Sequence, residues 1–225
     1  MIKTLINGAK GKMGVAISKI IDENPAYNLQ ITALRDDGLN EGDGFDLIID
    51  FSSPEGSKEA FELSQKHHAA FLSGTTNLPV NFIDELKAEK DIAVFYSPNV
   101  SIGVYLFTKL IKEASGLFKL YNREMHEVHH AQKKDAPSGT AKSLASAINF
   151  PIEKITYERI GAEPGTHGLK FASVHKDEEI ILTHRALDRS LFAYSAIIIA
   201  RWLVRQKPGF YDMDNFVQGN DQPAR

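Results

Sequence analysis

Titratable side chains crowd one short stretch of the sequence, HEVHHAQKKDAPSGTA, which runs from His126 to Ala141. Its first ten residues hold three histidines, two lysines, one glutamate and one aspartate. Histidine and lysine can both transfer protons near neutral pH when their surroundings tune their pKa values. The composition of this stretch therefore predicts general acid–base chemistry.

The end of the same stretch predicts an anion-binding site. Ser138, Gly139 and Thr140 follow a proline, a pattern typical of the first turn of a helix. Backbone N–H groups at a helix N-terminus bind carboxylates and phosphates, and Lys133 and Lys134 add positive charge just before it. A polar surface loop ahead of a capped helix would use similar residues and remains the alternative.

Side-chain alternation separates the histidines if the stretch begins as a strand. His126, Val128 and His130 would share one face, while Glu127 and His129 would share the other, unless the strand ends there. The three histidines could also ligate a metal, but the adjacent lysines would repel a cation and no cysteine assists. We therefore predict no metal site.

A second candidate site is the glycine turn G-x-x-G-x-x-G, formed by Gly8, Gly11 and Gly14. It follows a short apolar strand and opens a helix, the context in which such turns approach the pyrophosphate of a dinucleotide. A tight turn that needs glycine only for backbone reasons is the alternative. The predicted cofactor contacts in this turn are Gly8, Ala9, Lys10, Gly11, Lys12 and Met13.

About 20 residues after the turn, where such folds place the ribose-binding residue, stand Arg35 and Asp36. Asp36 could bind ribose hydroxyls, whereas Arg35 with Lys12 could bind a 2′-phosphate. The residues indicate both options, so the choice between NADH and NADPH stays open.

Two later loops fit the same crevice, because ligands in open α/β sheets bind beyond the carboxyl ends of the strands. Each loop alone would pass for a simple turn, but three small-residue loops at strand ends favour a nucleotide. The loops are Gly74, Thr75 and Thr76, and Ser97, Pro98, Asn99 and Val100.

The elements that must position these residues alternate in the first part of the chain. Apolar runs near residues 1–6, 28–34, 46–53, 69–76 and 91–97 predict strands, with helical patterns between them. This rhythm predicts an α/β fold, a Rossmann-type doubly wound parallel sheet.

The rhythm changes after Asn99. Helices are predicted at residues 103–118 and 138–148, and an antiparallel hairpin at residues 169–176 and 178–186. These patterns predict a second α+β domain with a mixed or antiparallel sheet. A nearly all-apolar helix at residues 191–206 should pack on the first domain or on a partner subunit.

Composition limits the possible partners and setting. The net charge of −3 provides no overall attraction to nucleic acid or anionic membranes, and the chain has no cysteine for disulfides, thiolate metal sites or a thiol nucleophile. No segment reaches the roughly 18 apolar residues of a membrane span. We expect a cytoplasmic protein that binds neither nucleic acid nor membrane.

The run from Glu127 to Ala141, with its core H-H-x-x-K-x-D-A-P-S-G-T-A, closely resembles the signature of the dihydrodipicolinate reductase family. The resemblance extends over nearly the full chain. It also covers GAKGKMG from Gly8, DFS from Asp50, GTT from Gly74, SPNVS from Ser97, RIGAEPGTH from Arg159 and GFYDM from Gly209.

This resemblance implies a two-domain, usually homotetrameric reductase. It would use NADH or NADPH to reduce 4-hydroxy-tetrahydrodipicolinate, a cyclic dicarboxylate, to tetrahydrodipicolinate in the diaminopimelate route of lysine biosynthesis. Residues 1–101, completed by residues 190–225, would form the dinucleotide-binding domain. Residues 102–189 would form the substrate-binding and oligomerisation domain.

The resemblance also implies roles for individual residues. The matching family residues make His129 and Lys133 the catalytic pair, and His130, Gly139 and Thr140 substrate-binding residues. Lys133 and Ser138 are expected to contact substrate as well, since both lie at the predicted anion site.

Two departures from the better-known enterobacterial form stand out. Ala131 replaces an arginine, and Arg35 precedes the acid where that form has the acid first. A catalytically silent NAD(P)-binding module or redox sensor is the alternative function. A reductase of another imino or keto dicarboxylate is a third.

Overall fold

A computed structural model of the chain describes residues 1–35 and 44–220. The chain divides into two compact units. Unit 1 comprises Met1–Ser101 with Ser190–Arg225, and unit 2 comprises Ile102–Arg189. Among the helices described, none has the length and apolar character needed to cross a bilayer.

The described strands and helices follow one another along both units. The strands are β1 (Ile2–Asn7), β2 (Leu29–Arg35), β3 (Leu47–Asp50), β4 (Ala70–Ser73), β5 (Ala93–Tyr96), β6 (Asn122–His129), β7 (Thr156–Arg159), β8 (Gly165–Ala172), β9 (Glu179–Ala186) and β10 (Gly209–Tyr211). The helices are α1 (Lys12–Glu23), α2 (Pro54–His67), α3 (Val80–Ala88), α4 (Ile102–Leu117), α5 (Gly139–Ala147), α6 (Ser190–Leu203) and α7 (Met213–Asn220).

Unit 1 is a parallel sheet with the strand order β10-β5-β4-β3-β1-β2. Its central strands β3 and β4 are buried at every residue, as expected for parallel strands covered on both faces. The apolar helix α6 packs on α1 and on the sheet strands of this unit. Of the two positions expected for this helix, on the first domain or on a partner subunit, the structure shows it on the first part of the chain.

The sequence pattern does not predict β10 or α7. Strand β10 has three residues, begins at Gly209 with φ +141°, and follows Pro208, a pattern that indicates only the end of a helix. It nevertheless pairs in parallel with β5 and adds the sixth strand.

Unit 2 is a mixed sheet with the order β7-β6-β8-β9. Strands β6, β8 and β9 pair antiparallel, while β7 pairs in parallel with β6 after the crossover through α5. Apolar residues of α4 and α5 cover one face of this sheet, with Ile111 and Leu144 packed into the same cluster as Met125 and Leu169. The predicted fold class, a Rossmann-type sheet plus a second α+β domain, is confirmed.

Candidate active site

The loops predicted to bind a cofactor all lie in unit 1. They follow the carboxyl ends of β1, β2, β4 and β5, which run in parallel and therefore end at the same edge of the sheet. The structure thus brings the glycine turn, Arg35, the Gly74–Thr76 loop and the Ser97–Val100 loop to one edge. Asp36 lies outside the described residues.

The glycine turn is shaped by close backbone contacts. Gly8 has φ +79°, and a Cβ atom there would lie 2.3 Å from the Phe51 carbonyl oxygen. A Cβ atom on Gly14 would lie 2.3 Å from the Gly8 carbonyl oxygen. Backbone geometry alone therefore requires these two glycines.

The start of α1 shows what else the turn provides. Its N-cap is Gly11, which has no side chain to accept the first N–H groups, and its first turn has no acidic residue. In contrast, Ser53 caps α2 by accepting a hydrogen bond from the Gly56 N–H at 3.1 Å. The uncapped, positive end of α1 fits the pyrophosphate of a dinucleotide.

Asp50, the last residue of β3, forms hydrogen bonds to residues of the loops and strand ends at this edge. Its carboxylate is fully buried and accepts hydrogen bonds from four side chains. The donors are Asn7 Nδ2 at 2.7 Å, Ser52 Oγ at 2.5 Å, Ser73 Oγ at 2.8 Å and Thr75 Oγ1 at 2.8 Å. Buried polar groups need such partners, so this network fixes the ends of β1, β3 and β4 relative to one another.

The side chain of Thr75 belongs to this network. Its side chain is 3% exposed, and its hydroxyl donates to Asp50 and accepts from the Ser52 N–H at 3.0 Å. This hydroxyl therefore makes its hydrogen bonds within the protein. Any contact that Thr75 makes with a cofactor must come from its backbone.

The loop after β5 is held in a similar way. Ser97 Oγ donates to the Asn99 carbonyl oxygen at 2.7 Å, and Asn99 Oδ1 accepts from the Ser101 N–H at 3.0 Å. Val100 is 2% exposed. The side chains of this loop therefore shape the backbone that lines the edge of the sheet.

The side chain of Arg35, which the sequence suggested as a contact for a 2′-phosphate, already has a partner within the protein. It is buried, and its guanidinium forms an ion pair with Glu59 of α2. The sequence pattern showed no link between these two positions.

In unit 2 the central residue of the titratable cluster is Glu127, which is fully buried on β6. Its Oε1 accepts hydrogen bonds from the Ser138 N–H at 2.9 Å and from Arg159 Nη2 at 2.8 Å. Its Oε2 faces two histidines, with His129 Nδ1 at 3.3 Å and His167 Nε2 at 3.8 Å. One carboxylate therefore contacts the end of β6, the start of α5, β7 and β8.

The strand registers explain this convergence. Glu127 and His129 share the buried face of β6, as side-chain alternation predicted. Arg159 of β7 lies opposite His129, and His167 of β8 lies opposite Glu127. The sequence pattern does not indicate the roles of Glu127, Arg159 and His167, although Arg159 and His167 are the first and last residues of the RIGAEPGTH stretch.

Electrostatics in this cluster favour an ionised Glu127 beside neutral histidines. Burial raises the pKa of Glu127, but hydrogen bonds from Ser138 and Arg159 outweigh it and hold that pKa below its ordinary value. Burial lowers the pKa of His129, and Lys133 and Arg159 add to this, whereas Glu127 opposes it. Burial also lowers the pKa of His167, to about 4.

The start of α5 differs in part from the prediction. Ser138 is buried; its N–H donates to Glu127, and its Oγ accepts from the Ala141 N–H at 3.1 Å. The backbone N–H of Ser138 is therefore not available to an anion, because it donates its hydrogen bond to the carboxylate of Glu127. Gly139, which is exposed, and Thr140, which is half-buried, begin the helix next to it.

Lys133 lies in the loop between β6 and α5. Its Nζ contacts Asp135 Oδ1 at 2.8 Å, and its N–H donates to the His130 carbonyl oxygen at 3.1 Å. Arg159 Nη2 also donates to the Asp135 carbonyl oxygen, at 2.6 Å. The loop that carries Lys133 is thus tied to the Glu127 cluster through Arg159.

The three histidines considered as metal ligands do not converge. His126 lies on the opposite face of β6, where it contacts Thr156 at 2.9 Å and Glu158 at 3.5 Å. Among residues 1–35 and 44–220, the ligand atoms that converge belong to Glu127, His129 and His167, all within 4.8 Å of one another. The Arg159 cation already sits on Glu127, which disfavours a second cation there.

Comparison with known proteins decides the family. Residues 2–100 match the family model described as dihydrodipicolinate reductase, N-terminus, and residues 103–217 match the one described as dihydrodipicolinate reductase, C-terminus. The chain belongs to the dihydrodipicolinate reductase family. The suspected resemblance is therefore confirmed.

Curated relatives support this assignment over the full chain. A 4-hydroxy-tetrahydrodipicolinate reductase from Thermosipho africanus is 32% identical over 212 residues, covering 94% of this chain and 95% of that protein. One of the same name from Bdellovibrio bacteriovorus is 31% identical over 226 residues, covering 98% of each.

A solved structure confirms the fold. Dipicolinate-bound dihydrodipicolinate reductase from Paenisporosarcina sp. TG-14 superposes with a TM-score of 0.76 at 20% identity, covering 94% of this chain and 97% of that one. Dihydrodipicolinate reductases are NAD(P)H-dependent oxidoreductases that use NADH or NADPH. The predicted enzyme class and the predicted cofactor pair are both confirmed.

Proposed function

We propose that this chain reduces 4-hydroxy-tetrahydrodipicolinate to tetrahydrodipicolinate in the diaminopimelate route of lysine biosynthesis, with NADH or NADPH as the reductant. Unit 1, residues 1–101 with 190–225, binds the dinucleotide. Unit 2, residues 102–189, binds the cyclic dicarboxylate. The observation that carries this proposal is the buried Glu127 carboxylate, which accepts a hydrogen bond from the start of α5 and lies 3.3 Å from His129 Nδ1.

The dinucleotide side rests on the edge of the unit 1 sheet. The backbone N–H groups at the uncapped start of α1 would donate hydrogen bonds to the pyrophosphate, and the glycine turn leaves room for the pyrophosphate to approach. The Gly74–Thr76 and Ser97–Val100 backbones line the remainder of the crevice. When bound, the nicotinamide supplies a hydride to a ring carbon of the unsaturated imine.

The dicarboxylate side rests on α5. One substrate carboxylate binds the backbone N–H groups of Gly139 and Thr140, which lie in the first turn of that helix. His130 and Lys133 add a polar and a cationic contact. Ser138 supports this subsite indirectly, because its own N–H and hydroxyl are used within the fold.

Proton transfer rests on the loop between β6 and α5. Negative charge that develops on the conjugated ring nitrogen requires a proton donor. Lys133 carries an ammonium group with three donor hydrogens, and Asp135 holds it at 2.8 Å. Since the lowered pKa of His129 favours a neutral imidazole, we assign Lys133 as the donor and His129 as its partner in proton transfer.

Assembly and setting complete the proposal. We propose a homotetramer formed through unit 2, where Tyr157, Val174 and Ile181 are more than half exposed. A mass of four chains in sedimentation would support it, and a stable monomer would refute it. The absence of cysteine fits a reducing cytoplasm.

The direct test is the initial rate of NADH and NADPH oxidation with substrate made in situ from pyruvate and aspartate semialdehyde by the preceding synthase. The proposal predicts oxidation that requires the synthase product, and inhibition by the planar dicarboxylate dipicolinate. Binding of NADPH without any oxidation would indicate a silent binding module. Oxidation with another imino or keto dicarboxylate, but not with this one, would indicate a different substrate.

A further inference from the structure

The environment of Arg35 bears on the choice between NADH and NADPH. Arg35 is the last residue of β2, and its carbonyl oxygen accepts hydrogen bonds from the N–H groups of Gly8 and Ala9, at 2.9 and 3.3 Å. The glycine turn is thus fastened directly to Arg35. In dinucleotide folds the residue at this strand end binds the adenosine ribose or its 2′-phosphate.

The direction of the Arg35 side chain follows from strand alternation. Ala33 and Arg35 lie on the same face of β2, and Ala33 packs against the core cluster that includes Ala60 and Phe61 of α2. Glu59 immediately precedes those two residues on the same helix. Strand alternation therefore directs the Arg35 side chain toward α2, where its guanidinium contacts Glu59.

The ion pair leaves Arg35 only partly satisfied. Its Nη2 contacts Glu59 Oε2, while its Nη1 is buried and has no hydrogen-bond partner among residues 1–35 and 44–220. The Arg35 side chain is 11% exposed, whereas that of Glu59 is 62% exposed. The arginine is held in place, and its carboxylate partner is the member of the pair that solvent or a ligand can reach.

A carboxylate and a phosphate compete for an arginine in the same way, because both bind the planar fork of guanidinium donors. While Glu59 occupies Arg35, its negative charge cancels the cation and repels a 2′-phosphate. NADH has no 2′-phosphate and is unaffected by this competition.

We propose that Glu59 sets the cofactor preference of this enzyme by holding Arg35 in an internal ion pair that a 2′-phosphate must displace. This inference rests on the dinucleotide role proposed for unit 1. Glu59 is a specificity-determining residue that acts through Arg35 and is not itself catalytic.

The test is the Kd for NADH and for NADPH, measured by calorimetry without dicarboxylate. The variants are Glu59→Gln, the matched control Glu62→Gln on the same helix, and the double variant Glu59→Gln with Arg35→Gln. Glu62 is exposed, so its change removes the same charge at a neighbouring position. Because the readout is the ratio of two Kd values for one sample, it does not depend on the folded fraction.

Wild-type protein is expected to bind NADPH no more tightly than NADH. Glu59→Gln should tighten NADPH binding about tenfold, the effect of one charge-assisted hydrogen bond, and leave NADH binding unchanged. Glu62→Gln should keep the wild-type ratio, and the double variant should lose the gain.

Three results would overturn the inference: equal changes for both cofactors in Glu59→Gln, an equal gain in Glu62→Gln, or a gain that survives loss of Arg35. If Glu59→Gln bound both cofactors with the wild-type ratio of Kd values, the role of Glu59 would be refuted but the dinucleotide assignment of unit 1 would stand. Failure of the wild-type protein to bind either cofactor would refute the dinucleotide assignment of unit 1 as well.

Discussion

Each unit buries a carboxylate near the end of a strand, and the two carboxylates have different neighbours. Asp50 of β3 is surrounded by hydroxyl and amide donors, which carry no charge. Glu127 of β6 is surrounded by an arginine, two histidines and one backbone N–H. The neutral shell can only fix positions, whereas the titratable shell can also fix protonation states.

Because of this difference, we expect the two networks to support different functions. The Asp50 network joins the strand ends from which the proposed cofactor-binding loops start, so its loss should weaken cofactor binding. The Glu127 network links His129 to the start of α5, the helix proposed to bind substrate, so its loss should slow the proposed proton-transfer step. Each of the following changes tests one side of that comparison.

The largest effect is expected at the proposed proton-transfer pair. Lys133→Ala and His129→Ala should each lower kcat by about 10²- to 10⁴-fold, the usual contribution of general acid–base catalysis, without changing the Kd for NADH. Steady-state kinetics and cofactor titration measure both quantities. Lys134→Ala removes an adjacent exposed lysine and serves as the control. A kcat within a few-fold of wild type for both pair variants would contradict the assignment.

Asp50→Asn should give the next largest effect. The amide places an NH₂ group where the carboxylate accepted hydrogen bonds, which costs about 1–3 kcal/mol for each buried donor left without an acceptor. Chemical denaturation should show this loss, and the Kd for NADH should rise. Asp46→Asn, near the start of the same strand, changes an exposed carboxylate that accepts from the Lys3 N–H. A similar loss in both variants would contradict a special role for Asp50.

His167 should make stability depend on pH. Its pKa is about 4 in the fold, against about 6.5 in an unfolded chain, so between these values the unfolded state binds the additional proton. The free energy of unfolding should therefore fall as pH falls from about 6.5 to about 4, by up to about 3 kcal/mol. His167→Asn should remove this part of the pH dependence, which denaturation at a series of pH values measures. An unchanged slope would contradict the buried, neutral state of this histidine.

The two serine N-caps should show the smallest effects. Ser53→Ala and Ser138→Ala each remove a cap of about 1 kcal/mol, from α2 and α5 respectively. Ser138→Ala should cost more, since its buried hydroxyl also lies 3.3 Å from His167 Nε2. Thermal unfolding compares the two, and an equal or larger loss for Ser53→Ala would show that the Glu127 cluster does not depend on this hydroxyl.

The sequence predicted what depends on local pattern. Strands β1 to β5, the helices between them and the pairing of β8 with β9 all follow from apolar periodicity and turn residues. The shared face of Glu127 and His129 follows from alternation within one strand. Family resemblance added the expected roles of His129 and Lys133.

The remainder depends on long-range register. Arg159 reaches Glu127 because β7 pairs with β6, and β7 is a short, exposed strand without a clear pattern. His167 reaches Glu127 only through the register of β6 and β8. The ion pair of Arg35 with Glu59 likewise depends on how α2 packs on the sheet. None of these contacts has a signature in the nearby sequence.

The most direct test of the comparison is to measure kcat and the Kd for NADH in Glu127→Gln and Asp50→Asn side by side. Glu127→Gln should lower kcat and leave the Kd unchanged. Its acidic limb in the pH profile should move to lower pH, because Glu127 raises the pKa of His129. Asp50→Asn should raise the Kd and leave that limb in place. If both variants altered the same quantity, or if Glu127→Gln kept the wild-type kcat and pH profile, the proposed division between a positioning network and a proton-transfer network would be wrong.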